Sequence, residues 1–114
     1  MSYAILYLNA QQFTDEESRT LQELRCGALA PAFGLDLGRS VIVDERERDE
    51  HPWTLQEALR TGPAAIVTYS LAHIDYRPQR ILTTCNLLVV KPQGWYHKGH
   101  TGFIAGMSIA PTSD

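Results

Sequence analysis

The sequence predicts a small three-layer α/β domain built on a mostly parallel sheet of four to five strands. Three observations carry that expectation. Ala64 to Tyr69 is a run without charge, rich in apolar and β-branched residues, that reads as a fully buried strand, and it opens into a polar loop at Ser70. Short β-branched or aromatic runs alternate with segments of helical periodicity up to Val90. Gly62-Pro63 stops the second helical segment directly before the central run, which makes a strand–helix–strand unit of parallel type. With 114 residues, 44% of them hydrophobic, the chain can bury one core without staples, so a single domain over 1–114 is expected.

The first strand is Tyr3-Ala4-Ile5-Leu6-Tyr7-Leu8, a compact apolar run that ends at Asn9. Thr14-Asp15-Glu16-Glu17 reads as a capping box for a helix over about 14–30, with Thr14 as the cap. Leu21, Leu24 and Ala28, with Leu29 beside them, mark its expected inward face, and Pro31 and Gly34 punctuate its end. Ser40 to Asp44 is the second strand. The sign-alternating run Glu45 to Glu50 is read as a solvated loop rather than a core element. Thr54-Leu55-Gln56-Glu57 is a second capping box, opening a short helix whose buried face is Leu55, Ala58 and Leu59.

After the 70–75 loop, Pro78 opens a short helix carrying Ile81 and Leu82, and Asn86 to Val90 is the fourth strand. From Lys91 the composition changes, with Gly94, Gly99, Gly102 and Gly106 interrupting Trp95, Tyr96, Phe103, Ile104 and Met107. Glycine at this density opposes a long helix, so turns are expected over 91–114, with a hairpin that adds Phe103 to Ile109 as an edge strand.

Charge is unevenly spread. Residues 1–50 carry ten acidic and five basic side chains, and residues 51–114 carry three and five, for a net −3. An acidic domain is a poor general nucleic-acid binder, although the span from Arg77 to Lys98 holds four basic residues and no acidic one. Cys26 and Cys85 sit in apolar surroundings without a C-x-x-C pairing, as two reduced thiols of a cytoplasmic protein would. No apolar segment approaches membrane-spanning length, and Met1 to Ala4 lacks the character of a signal peptide.

The element order resembles the catalytic domain of the serine recombinases, the resolvase/invertase family, over Tyr3 to Val90. The points of contact are Tyr7-Leu8-Asn9-Ala10-Gln11, the strand ending in Asp44, and Ser70-Leu71-Ala72-His73-Ile74-Asp75. In that family the first strand ends in Tyr-x-Arg-x-Ser, where serine attacks the DNA phosphodiester. The central strand there runs into Ser-Leu-Asp-Arg-Leu-Ser-Arg, whose arginines surround the phosphate. Here Asn9 stands for the arginine and Gln11 for the nucleophile. Ala72 and His73 replace the Asp-Arg pair, and Tyr76 replaces the last arginine, with Arg77 one residue beyond. Phosphoryl transfer to a hydroxyl needs a nucleophile and concentrated positive charge, so the resemblance implies a degenerate, truncated relative that does not cut DNA.

Candidate chemistry is sparse. His97 and His100 have an H-x-x-H spacing that suits zinc if His73, Asp75 or Cys85 converges as a third ligand; a surface loop explains the same residues, and no metal is expected. Cys85 with His73 has the residue types of a thiol nucleophile and its base. Ser70, His73 and Asp75 have those of a triad, but six consecutive residues do not converge as one. No glycine-rich phosphate loop follows the first strand, and no cofactor is expected. Asn9, Gln11, Asp44, Ser70, His73 and Asp75 define a strand-end crevice, and Trp95 and Tyr96 with Arg77 and Arg80 define a contact surface. The reading these residues support is a non-catalytic module acting through protein contacts, compatible with a homodimer. The alternatives are a metal-dependent hydrolase built on His97 and His100, and a nucleic-acid-binding regulator.

Overall fold

Strand β1, Tyr3–Asn9, has no polar face because both of its faces are covered. Ile5 and Tyr7 enter one apolar cluster, and Ala4, Leu6 and Leu8 enter a second on the opposite side of the sheet. In the computed structural model this strand lies inside a six-stranded sheet of order β2-β1-β3-β4-β5-β6. The structure describes residues 3–43, 54–74, 76–91, 93–96, 98 and 103–105, with backbone alone for Thr54, Arg80 and 103–105. Asp44, the 45–50 charge run, Asp75, His97 and His100 lie outside the described residues.

Helix α1, Glu16–Ala32, covers one face of the sheet. Its cap is Asp15, one residue beyond the expected Thr14: Asp15 Oδ1 accepts from the Ser18 amide at 2.7 Å, with Glu16 and Glu17 in the first turn. A carboxylate at this position satisfies a free amide and the helix dipole together. The helix ends two residues later than expected in a Schellman turn. Gly34 (φ +73°) donates to Pro31 O at 2.9 Å, and Leu35 donates to Ala30 O at 3.0 Å.

The inward face of α1 is the main correction. Gln22, Cys26, Leu29 and Ala30 are buried, whereas Leu21 is 44% and Leu24 69% exposed and Ala28 is also exposed. At 100° per residue Leu21, Leu24 and Leu29 span too wide an arc to face one sheet together. Burial falls instead on the arc that contains Gln22.

Strand β2, Asp36–Val43, begins four residues earlier than expected and pairs parallel to β1 at the sheet edge. The register slips between Ala4 and Ile5, leaving Gly38 as the extra residue opposite them. A Cβ on Gly38 would sit 2.8 Å from the Tyr3 ring, which is why the bulge takes a glycine. Helix α2, Thr54–Arg60, buries Leu55, Ala58 and Leu59 on the other face of the sheet and stops at Gly62 (φ +81°). The Tyr3 hydroxyl ties its end to β1 by donating to Thr61 O, with Thr61 Oγ1 at 2.8 Å.

Strand β3, Ala65–Thr68, pairs parallel with β1 and with β4, Asn86–Val89. The short helix α3, Gln79–Leu82, seals the α2 side with Ile81 and Leu82. Strands β5, Gly94–Tyr96, and β6, Phe103–Ala105, continue the sheet antiparallel. The hairpin matches expectation in kind. It contributes two strands rather than one, because 94–96 pairs with β4 where turns alone were expected. The result is a three-layer α/β fold with α1 on one side and α2 and α3 on the other. No helix among the described residues is long and apolar enough to cross a membrane.

Candidate functional site

In an open α/β sheet, ligands favour the crevice at the carboxyl ends of the strands where the chain direction of winding reverses. Here the first crossover leads from β1 to β2 and the later ones from β3 outward to β4, so the reversal lies between β1 and β3. The strand ends there are Asn9 and Thr68, followed by the 3₁₀ turns Ala10–Gln12 and Leu71–Ile74.

The chain fills this position with its own imidazole. His73, 1% exposed, accepts the Asn9 amide at Nδ1 (2.8 Å). With Nδ1 serving as acceptor, the proton resides on Nε2, which donates to Gln22 Oε1 at 2.7 Å. The Gln22 amide nitrogen donates in turn to Ser18 Oγ at 3.1 Å and Gln12 O at 3.4 Å. The Phe13 ring closes one side of the imidazole, centroids 6.0 Å apart and tilted by 54°. Burial pushes the His73 pKa down to about 4, so the ring is neutral at physiological pH. One histidine thus joins β1, the loop after β3 and α1, and both of its nitrogens are committed. Such a ring holds the fold together and has no lone pair left for a metal or a substrate proton.

The other strand-end residues divide. Asn9 is fully buried, and its Oδ1 caps the following turn by accepting from the Gln11 amide at 3.0 Å. Gln11 itself is exposed, and Ser70 is half-buried, its carbonyl accepting from the His73 amide at 3.2 Å. Gln22 completes this polar cluster, while Thr68 ends β3 with its buried side chain on the opposite face of the sheet; neither stands among the sequence-predicted site residues. Thr68 sits inside an otherwise apolar run, and Gln22 lies on a helix whose expected inward face is Leu21, Leu24 and Ala28. The signal for Gln22 was its i, i+4 spacing to Ser18 and Cys26.

Among the described residues, the buried Asn9 Nδ2 and Thr68 Oγ1 have no hydrogen-bond partner. By strand alternation both side chains belong to the α2/α3 side, with Tyr7 and Ile66. Replacing Thr68 by valine removes a buried, unpaired hydroxyl at nearly constant shape. It is expected to stabilise the protein by about 1 kcal/mol in urea titrations.

Tyr76 follows the crevice loop at φ +56° and is 71% exposed, an unfavourable backbone for a side chain that buries little. Its amide donates to Leu71 O at 2.9 Å, which fixes that conformation. Tyr76→Gly is therefore expected to be neutral to stabilising, by up to about 1 kcal/mol, in thermal melts.

The predicted contact surface is not one patch. Tyr96 is buried in the α2/α3 cluster, whereas Trp95 is half-buried on the α1 side with the Phe33 ring 6.4 Å away. Arg77 is exposed, and the Arg80 side chain lies outside the described residues. Cys85 belongs to the α2/α3 cluster and Cys26 to the α1 cluster, so the sheet separates the two free thiols. Burial pushes Cys26 up to about 12 and Cys85 up to about 11. Neither is a thiolate nucleophile at neutral pH, and His73 has no nitrogen to offer Cys85. Both are expected to resist iodoacetamide in the native protein and to react in urea, as read by mass spectrometry.

Among the described residues no group of three or more His, Cys, Asp or Glu could hold a metal ion. In comparisons with known proteins, no family model, no curated protein and no solved structure matches this chain.

Proposed function

We propose that this chain is a non-catalytic binding or regulatory module that works through protein contacts. The observation that carries the reading is the occupied strand-end position. Where α/β domains normally receive a ligand, His73 is held at both nitrogens by Asn9 and Gln22. Gln11, at the place of the recombinase nucleophile, is no nucleophile, and among the described residues the partners of the His73 ring are the Asn9 amide, Gln22 and Phe13. The reading takes the fold as a resolvase- or flavodoxin-like arrangement without its chemistry, supported by the parallel order β2-β1-β3-β4. The free thiols Cys26 and Cys85 suit the reducing cytoplasm.

The contacting surface in this reading is the outward side of α1, where Leu21 and Leu24 are exposed. The test is affinity capture from nuclease-treated lysate of the source cells, comparing the wild-type chain with Leu21→Glu/Leu24→Glu. A stoichiometric protein kept by the wild type and lost by the variant supports the module. A partner that vanishes with nuclease would favour the nucleic-acid regulator. Hydrolase activity abolished by His97→Ala would overturn the non-catalytic reading.

A further inference from the structure

Helix α1 carries two apolar arcs, and the fold uses one. The inner arc of Cys26, Leu29 and Ala30 meets the sheet, while Leu21, Leu24 and Ala28 face solvent on the far side. The outer arc continues onto β2: Leu37 is exposed and lies close enough to Gly27 that an added Cβ there would be 3.8 Å from its Cδ2. An open groove of about 710 Å³ runs along the first turns, from Thr14 and Glu17 to Leu21 and Leu24.

The charges on this face determine its partner. Glu17, Leu21 and Arg25 stand four residues apart and form one ridge along the helix. The ridge is acidic at its amino end, apolar in the middle and basic at its carboxyl end. A second copy laid antiparallel across it, with a twofold axis at Leu21, places each Glu17 beside the other copy's Arg25. Leu21 meets its own equivalent, and each Leu24 enters the other copy's groove beside Ser18. The helix dipoles then also oppose. Such a self-complementary arrangement is what an isologous interface requires. We propose that the chain forms a homodimer through antiparallel packing of its two α1 helices, with reciprocal Glu17–Arg25 ion pairs. The inference rests on the protein-contact reading above and names the partner of that same face. A helix about 25 Å long buries less than a standard interface, so the dimer is weak and concentration-dependent.

Sedimentation velocity on the full chain, from about 10 µM to about 1 mM, tests it. The wild type is expected to move from monomer to dimer across that range. Leu24→Glu should raise the dissociation constant at least about tenfold. Glu17→Arg and Arg25→Glu alone should each weaken it by roughly three- to tenfold at low salt, and the double exchange Glu17→Arg/Arg25→Glu should restore it. All three positions are solvent-facing, and circular dichroism verifies that each variant is folded. A wild type that stays monomeric throughout overturns the proposal, as does a dimer indifferent to Leu24→Glu. A double exchange that fails to restore association overturns the antiparallel register. A monomer that still captures a protein through the Leu21/Leu24 face would sink this inference and leave the module reading standing.

Discussion

His73→Ala is expected to destabilise the protein by about 3–5 kcal/mol, a large fraction of the stability of a domain this size. The cost has two physical parts. Removing the ring leaves the Asn9 amide and Gln22 Oε1 without partners in a region where both Asn9 and Gln22 are buried. It also empties a volume that Phe13 and the 71–74 turn close over. His73→Gln, which can restore one of the two hydrogen bonds, should fall between alanine and the wild type. Urea unfolding by tryptophan fluorescence measures the series. If alanine costs under about 1 kcal/mol, the imidazole does not join β1 to α1 as described. A substituted protein of wild-type stability would turn attention back to His73 as a functional group.

The second large effect is a loss of stability in mild acid. In the unfolded chain the imidazole binds a proton as pH falls through about 6.5, whereas in the fold it stays neutral until about 4. The unfolded state therefore takes up more protons across that window. The contribution of His73 is fully present above about pH 6.5 and is lost as pH falls to about 4, on the order of 3 kcal/mol in total. Unfolding midpoints at pH 7.5, 6, 5 and 4 for the wild type and His73→Gln isolate it, because all other titrating groups are shared by both proteins. The two lines should converge as pH falls. Parallel lines would mean that the ring is already charged, or accessible, in the native state.

Both effects come from a residue that the sequence marked for the wrong reason. Ser70 to Asp75 stood out as a strand-end loop containing histidine, and that placement is correct: the turn follows β3 at the winding reversal. Whether His73 faces solvent or the protein depends on Gln22, fifty-one residues away and on another element. Local pattern carries no information at that separation, and a glutamine in a helix reads as surface until its partner is in place.

The same limit explains α1. Its existence, its acidic first turn and its glycine stop were legible, because capping and termination depend on residues within a few positions of each other. Its rotation was not. With leucines on both sides, periodicity alone allowed two orientations, and the sheet selected the one in which Cys26, Leu29 and Ala30 pack on β1 and β3 while Gln22 reaches His73. Trp95 and Tyr96 repeat the lesson. Adjacent aromatics look like one contact surface, but in a strand neighbours point to opposite faces, and here both faces are covered.

Local pattern accounts for most of the elements up to Val90: the doubly covered runs at Tyr3–Leu8 and Ala64–Tyr69, the second helix with its buried Leu55, Ala58 and Leu59, and the parallel unit imposed by Gly62-Pro63. These follow from steric and solvation preferences that act within a single turn or strand. Contacts between distant segments made β5 an extension of the sheet, put the Gly38 bulge against Tyr3, and sealed the strand-end crevice with His73. They also left Leu21 and Leu24 outside. Each of those outcomes is a competition between distant groups for one volume or one hydrogen bond, and it is settled only when the layers meet.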